Sequence, residues 1–180
     1  MARKINHKRK SGTKFTDPRD GKKYKTVKIG EQVWMAENLN WEGAGCQYNN
    51  SPIFGNAFGR LYTWAEAMKC APPGWHLPTD EEWQKLVDYA GDNDVASNKL
   101  RAKDGWQGNG TDDFGFSALP GGCRYRNGGF YPIGDLGYWW SATEKGSERA
   151  YLRLMYSGAA KVYRLDYYKD YLFSVRLVKD

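Results

Sequence analysis

The feature that most constrains this chain is a period-two alternation near its C-terminus. Tyr151, Arg153 and Met155 alternate with Leu152, Leu154 and Tyr156; Ser157-Gly158-Ala159 turns the chain; Ala160, Val162 and Arg164 then alternate with Lys161, Tyr163 and Leu165. Successive side chains of a strand leave opposite faces, so this pattern predicts an antiparallel hairpin with two chemically distinct faces. Leu152, Leu154 and Tyr156 fall on one face and Tyr151, Arg153 and Met155 on the other, so one face could be replaced while the other holds the fold, whereas composition alone favours the Leu and Tyr residues as core with Arg153 and Arg164 outside. The segment from Tyr151 to Asp180 contains six of the thirteen tyrosines and none of the eight tryptophans. Tyrosine offers a stiff amphipathic contact face at low entropic cost, and Ser, Gly and Asp adapt around it, which is the composition of a binding surface rather than of a catalytic site.

Upstream, Thr79 and Glu82 form a Thr-x-x-Glu capping box. Trp83, Leu86, Val87 and Ala90 share one helical face, and Gly91 supplies the stop. A short helix is expected over Thr63 to Cys70, ended by Pro72-Pro73, and a third piece over Val95 to Ala102. Asp20-Gly21 and Gly30-Glu31 each suit a two-residue hairpin turn, with Tyr24, Val27, Ile29, Val33 and Trp34 supplying an inner face. Residues 40–58, rich in Asn, Gly and Ser, read as loop. The span from Gly105 to Gly137 reads either as long loops anchored by buried rings or as many short strands, and Phe173, Val175 and Leu177 make a last strand. The class expected is α+β, with two or three short helices, antiparallel strands and long aromatic, Gly-rich loops.

Charge divides the chain. Arg3, Lys4, Lys8, Arg9, Lys10 and Lys14 put six of the 27 basic residues into residues 1–14 with no acidic residue among them, which leaves 21 Lys+Arg against 21 Asp+Glu in the body. The net charge of +6 therefore belongs to a basic flexible leader over 1–14, and a single domain follows over 15–180. A neutral body argues against a specific nucleic-acid groove, which needs cations spread along a folded face. No apolar run follows the basic residues as in a signal peptide, and none is long enough to span a bilayer.

Little here supports catalysis or metal binding. Only two histidines occur, His7 and His76, and the three cysteines, Cys46, Cys70 and Cys123, form no Cys-x-x-Cys pair and no metal spacing. One disulfide with a free thiol and three reduced thiols are both compatible with that count. Asp112-Asp113 beside Asn109 reads as a solvated acidic loop rather than a cation site. No cofactor and no metal site are expected.

Seven segments then carry a resemblance: Asp20-Gly-Lys-Lys-Tyr-Lys-Thr-Val-Lys-Ile29, Trp34-Met-Ala-Glu-Asn-Leu39, Gly59-Arg-Leu-Tyr-Thr-Trp64, Pro73-Gly-Trp-His-Leu-Pro78, Gly115-Phe-Ser-Ala-Leu-Pro-Gly-Gly122, Trp139-Trp-Ser-Ala-Thr-Glu144 and Phe173-Ser-Val-Arg176. In order and over most of residues 15–180, they resemble the Fibrobacter succinogenes major paralogous domain family, which is similar to the C-type lectin and formylglycine-generating-enzyme folds. The resemblance implies a C-type lectin-like fold and leaves the role largely open.

Ala150, Tyr151, Arg153, Met155, Ala160, Val162, Arg164, Lys169 and Phe173 further resemble the fixed frame of family members whose C-terminal region is diversified by a retroelement. There a reverse transcriptase rewrites template adenines at chosen Asn codons. The resemblance makes 150–172 a variable binding region and Leu152, Leu154, Tyr156, Gly158, Ala159, Tyr163, Leu165, Asp166, Tyr167, Tyr168, Asp170 and Tyr171 its contact residues. An AAC codon altered at its first two bases never encodes Trp, Met, Gln, Glu or Lys, and every one of these positions satisfies that limit. Leu172 departs from the usual Gly of relatives and Leu177 from a frequent Cys.

What the resemblance implies is a non-enzymatic binding module. Tyr and Leu would anchor a protein or cell-surface ligand, Asp166 and Asp170 would add polar specificity near a rim, and the location would be extracellular, on a cell or on a virion. A surface lectin-like domain with an adhesive or structural role is the alternative. A formylglycine-generating type of enzyme, needing a reactive cysteine pair, and a calcium-dependent sugar binder, needing acidic and Trp-Asn-Asp type motifs, both rank lower.

Overall fold

A computed structural model describes residues 13–180. The basic leader expected over 1–14 lies outside the described residues except for Thr13 and Lys14, which open the first strand. Along the chain, β1 (Thr13–Thr16) and β2 (Lys23–Ile29) pair antiparallel, and β2 turns at Gly30-Glu31 into β3 (Gln32–Met35). Then come β4 (Cys46–Gln47), a 3-10 turn (Tyr48–Asn50), α1 (Pro52–Phe58), β5 (Arg60–Tyr62), α2 (Trp64–Ala67) and β6 (Trp75–His76). The helices α3 (Asp80–Ala90) and α4 (Ala96–Leu100) follow, and a long irregular stretch leads to β7 (Cys123–Arg124) and β8 (Phe130–Tyr131). The chain closes with β9 (Leu136–Glu144), β10 (Arg149–Tyr156), β11 (Val162–Tyr168), β12 (Phe173–Ser174) and β13 (Val178–Lys179).

A five-stranded sheet runs β1-β2-β3-β13-β6, a six-stranded sheet β11-β10-β9-β12-β5-β4, and β7-β8 stand as a separate pair. Pairing between named strands is antiparallel except between β12 and β9. Short helices on mostly antiparallel sheets make the class α+β, as the sequence led us to expect.

The local signals act as their chemistry dictates. Thr79 Oγ1 accepts from the Glu82 amide while the Glu82 carboxylate accepts from the Thr79 amide, so the box caps α3, whose Trp83, Leu86, Val87 and Ala90 are buried. Thr63 and Glu66 build a second such box on α2. Gly30 adopts φ 60°, the left-handed region that its turn requires. The connection at Asp20-Gly21 is longer than the two-residue turn expected: Thr16 pairs with Lys23, and residues 17–22 loop around the buried Asp17.

Two other expectations fail. Residues 52–58 are helical, not loop: Pro52 opens α1 and the Phe54 ring packs 5.3 Å from that of Tyr48, so tertiary contact overrides a loop-like composition. The last strand also breaks in two, because Ser174 pairs in the six-stranded sheet and Val178 in the five-stranded one. The residues between, Val175, Arg176 and Leu177, are all buried, since the segment crosses between the two sheets and has no solvent side.

Adjacent tryptophans show why β9 is the spine. Trp139 joins a core with Trp34, Trp83, Leu86, Phe116, Met155 and Val162, and Trp140 joins the other with Tyr62, Trp75, Leu152, Phe173 and Leu177. The two faces of the sheet are therefore both packed around β9.

Arg176 lies between these layers, fully buried. Its Nε donates to Asn38 Oδ1 at 3.2 Å, and Nη2 to the same oxygen at 3.0 Å and to the Ser117 carbonyl at 3.2 Å. Nη1 donates to the Met35 carbonyl at 3.1 Å and to the Phe116 carbonyl. Each of the five donors of the guanidinium thus meets an oxygen. Asn38 Oδ1 also accepts from Trp139 Nε1 at 2.9 Å, and its amide donates to the Phe58 carbonyl at 2.8 Å. Burial pushes the guanidinium down to about 9. Replacing Arg176 with Met takes their guanidinium partner from the Met35, Phe116 and Ser117 carbonyls in a dry interior and leaves Asn38 Oδ1 with Trp139 alone, and the expected cost is about 3–5 kcal/mol in urea unfolding; a loss below about 1 kcal/mol would contradict this assignment.

Candidate functional site

The hairpin expected at the C-terminus forms as β10 and β11, and its register sorts the candidate residues. Leu152 lies opposite Leu165, Leu154 opposite Tyr163, and Ala150 opposite Tyr167. On the other side of β10, Leu152 faces Trp140, Leu154 faces Tyr138 and Tyr156 faces Leu136. Leu136, Tyr138, Leu152, Leu154, Tyr156, Tyr163, Leu165 and Tyr167 therefore share one face of a three-stranded surface.

That face is deep at one end and open at the other. Leu152 is fully buried in the core with Trp140 and Phe173, so it supports the surface from beneath and does not reach a ligand. Leu154, Tyr163, Leu165 and Tyr167 are half-buried, and Tyr156 is 40 % exposed. A run of rings extends the surface from below. Tyr131 lies 5.1 Å from Tyr125, Tyr125 lies 5.2 Å from Tyr171, Tyr171 lies 5.3 Å from Tyr167, and Tyr138 stacks on Phe173 at 5.0 Å. Burial raises the phenols of Tyr125, Tyr138 and Tyr167, so these rings present neutral hydroxyl tips rather than phenolates.

Other candidates lie elsewhere. Gly158, exposed, and Ala159, half-buried, form the hairpin tip. Asp166 and Tyr168 sit on the opposite face, where Asp166 binds Lys145 at 2.9 Å and Arg149 at 2.7 Å. The Arg149 guanidinium lies 4.7 Å over the Tyr168 ring. Asp170 is exposed beside Arg126 at 3.9 Å, bordering a shallow cleft with Glu148, Tyr168 and Lys169. The clean division expected between a structural and a replaceable face thus holds only in part, because β10 carries a core on both faces.

The positions expected to be fixed hold this surface. Arg153, fully buried, reaches Asp80 Oδ1 at 2.9 Å, and Arg164 reaches Asp80 Oδ2 at 2.7 Å, so one acid in the first turn of α3 anchors both strands. Met155 and Val162 are buried against α3 and its neighbours. Lys169 Nζ donates to the Gly146 and Ser147 carbonyls at 3.2 and 3.0 Å, closing the β9–β10 turn. Arg101, nearly buried, donates to the Tyr156 and Ser157 carbonyls at 3.2 and 2.8 Å and fixes the hairpin tip.

Sequence reasoning missed Leu136, Tyr138, Tyr125 and Tyr131 as parts of the surface. The alternation Leu136, Tyr138, Trp140 signals a strand face, but only the register with β10 joins it to the hairpin. Arg101 also went unnoticed, in a segment read simply as a third helix.

The remaining chemistry-bearing groups are internally engaged. Desolvation pushes the Cys70 and Cys123 thiols up to about 12 and raises Cys46 as well, the opposite of an activated thiolate. Asp112 accepts from the Ser117 amide and hydroxyl, both at 2.8 Å, which gives its carboxylate a local structural use. Among the described residues no three His, Cys, Asp or Glu side chains are grouped to hold a metal ion, and no helix is long and apolar enough to cross a membrane.

His76 is bonded on both sides, through Nδ1 to Asp180 at 2.6 Å and through Nε2 to Glu82 at 2.8 Å. Burial alone would depress its pKa, but the two carboxylates outweigh that and raise it above 6.5. The imidazolium therefore contributes stability that is complete below pH 6.5 and lost as pH rises through the raised folded value. Replacing His76 with Gln should destabilise the protein more in acid than in mild alkali, measured by urea unfolding on either side of that transition. An equal cost at both pH values, with an imidazole titrating at or below 6.5 by NMR, would contradict the bridge.

Residues 27–179 match the model of the Fibrobacter succinogenes major domain, and the chain belongs to that family. No curated protein matches the chain. No solved structure matches it.

Proposed function

We propose that this member of the Fibrobacter succinogenes major domain family is a binding module. On this reading a C-type lectin-like scaffold presents the open end of the β9–β10–β11 face to a protein or cell-surface ligand, outside a cell or on a virion. The observation that carries the reading is the contrast between a surface and its supports. Leu154, Tyr156, Tyr163, Leu165, Tyr167 and Tyr171 offer half-open Leu and Tyr side chains, while Arg101, Arg153 and Lys169 lock the backbone beneath them. A rigid platform lowers the ordering cost of binding, and tyrosines supply contact area with few rotors to freeze.

The same contrast supports diversification by a retroelement. Tyr156 and Tyr163 stand clear of the core, while Leu154, Leu165, Tyr167 and Tyr171 rest on it from the half-open side, so on this reading codons can change most freely at the first two and among apolar or aromatic residues at the rest. Leu152 is the exception among the twelve candidate positions, and a retained apolar residue there is what its burial demands. An enzyme of the formylglycine-generating type fits less well, because buried thiols with raised pKa values lack the thiolate such chemistry begins from.

Sequencing the complete native locus tests the reading. The expected result is a reverse-transcriptase gene beside a near-copy of the 3′ coding end, with mismatches at template adenines in the codons of the open-face residues. A complete locus containing neither would remove diversification and leave the aromatic face as packing.

A further inference from the structure

Strand β11 ends the six-stranded sheet, and among the described residues no strand pairs with its outer side. It is seven residues long, whereas the other sheet ends are β1 with four and β4 and β6 with two each. One contact shows which backbone groups face outward. The Val162 amide donates to the Asn93 carbonyl at 2.7 Å and not to β10, so Val162, Arg164, Asp166 and Tyr168 turn their amides away from β10. Tyr163, Leu165 and Tyr167, opposite Leu154, Leu152 and Ala150, then form the hydrogen-bonded pairs of the hairpin. The ends of the outer edge are engaged, since Asn93 takes the Val162 amide and the Tyr171 amide takes the Tyr168 carbonyl. Between them the N–H and C=O groups of Arg164 and Asp166 form an open template for a further strand.

We propose that a second copy of this chain occupies this edge, pairing antiparallel through β11 about a two-fold axis that sets Arg164 against Asp166 of the partner subunit. Two requirements select that register. A shift by one residue would set outward amides against inward ones. A register centred on Arg164 or on Asp166 would set like charges directly opposite, whereas the proposed one sets two opposite-charge pairs. On the other face, Leu165 meets its own counterpart and Tyr163 meets Tyr167 of the partner subunit. The half-open Leu and Tyr surfaces of two copies thereby become one continuous surface. Within each copy, Arg164 to Asp80 and Asp166 to Lys145 and Arg149 hold these two side chains in place before pairing. The open edge and its charges are present whether or not the surface is diversified.

Sedimentation equilibrium of the full chain over a concentration series tests this. The expected result is a monomer–dimer equilibrium. Arg164→Asp and Asp166→Arg should each weaken it by at least about tenfold by placing like charges opposite, and mixing the two variants should restore a dimer that neither forms alone at the same concentration, because each copy then meets the opposite charge across the edge whatever it has lost within itself. Asp166→Pro removes an outward donor without an inward one, so it should leave a folded monomer by circular dichroism. If that variant fails to fold, the charge-reversal pair decides. A wild-type chain that stays monomeric, or a dimer indifferent to all these changes, would overturn the proposal.

Discussion

A single guanidinium organises this domain. Burying a cation without a carboxylate partner costs several kcal/mol unless every donor is met, and Arg176 meets that condition with five hydrogen bonds to oxygens. Those oxygens come from two segments far apart in sequence, Met35 with Asn38 and Phe116 with Ser117, that must converge for the cation to be tolerated. Trp139 bonds the same Asn38 oxygen, so the spine of the larger sheet is tied to the hub. The hub also explains why Val175, Arg176 and Leu177 leave the alternation of a strand: the segment bridges two sheets, and each of its side chains enters a core.

The proposed freedom of the C-terminal face rests on where restraint is placed. Asp80 gathers Arg153 and Arg164, Arg101 holds the tip, and Lys169 closes the preceding turn, all from outside the open Leu and Tyr surface. The hairpin backbone is held by arginines and lysines reaching to oxygens and, from the other face, by Leu154, Leu165, Tyr167 and Tyr171 resting on the core. On the proposed reading, these polar anchors let the surface change chemistry while its geometry persists.

Elements with local causes were legible in the sequence. The Thr79–Glu82 box, the Gly30 turn and the Tyr151–Leu165 alternation each depend on neighbours along the chain, and each appears in the expected place. Elements with distant causes were not. Helix α1 depends on an aromatic contact with Tyr48, the split of the last strand on two sheets competing for one segment, and the burial of Leu152 on Trp140 across the register. For the site, the hairpin and its tyrosines were visible, but Leu136, Tyr138, Tyr125 and Tyr131 join it only through pairing and ring contacts that no local pattern states.

The most direct test of this account compares two displayed libraries by protease resistance. One randomises Leu154, Tyr156, Tyr163 and Leu165, and the other Asn38, Trp139, Leu152 and Arg176. If restraint and surface are separate, most members of the first library stay folded while nearly all of the second are degraded. Equal loss in the two libraries would show that the aromatic face is itself core, and would contradict the account at its centre.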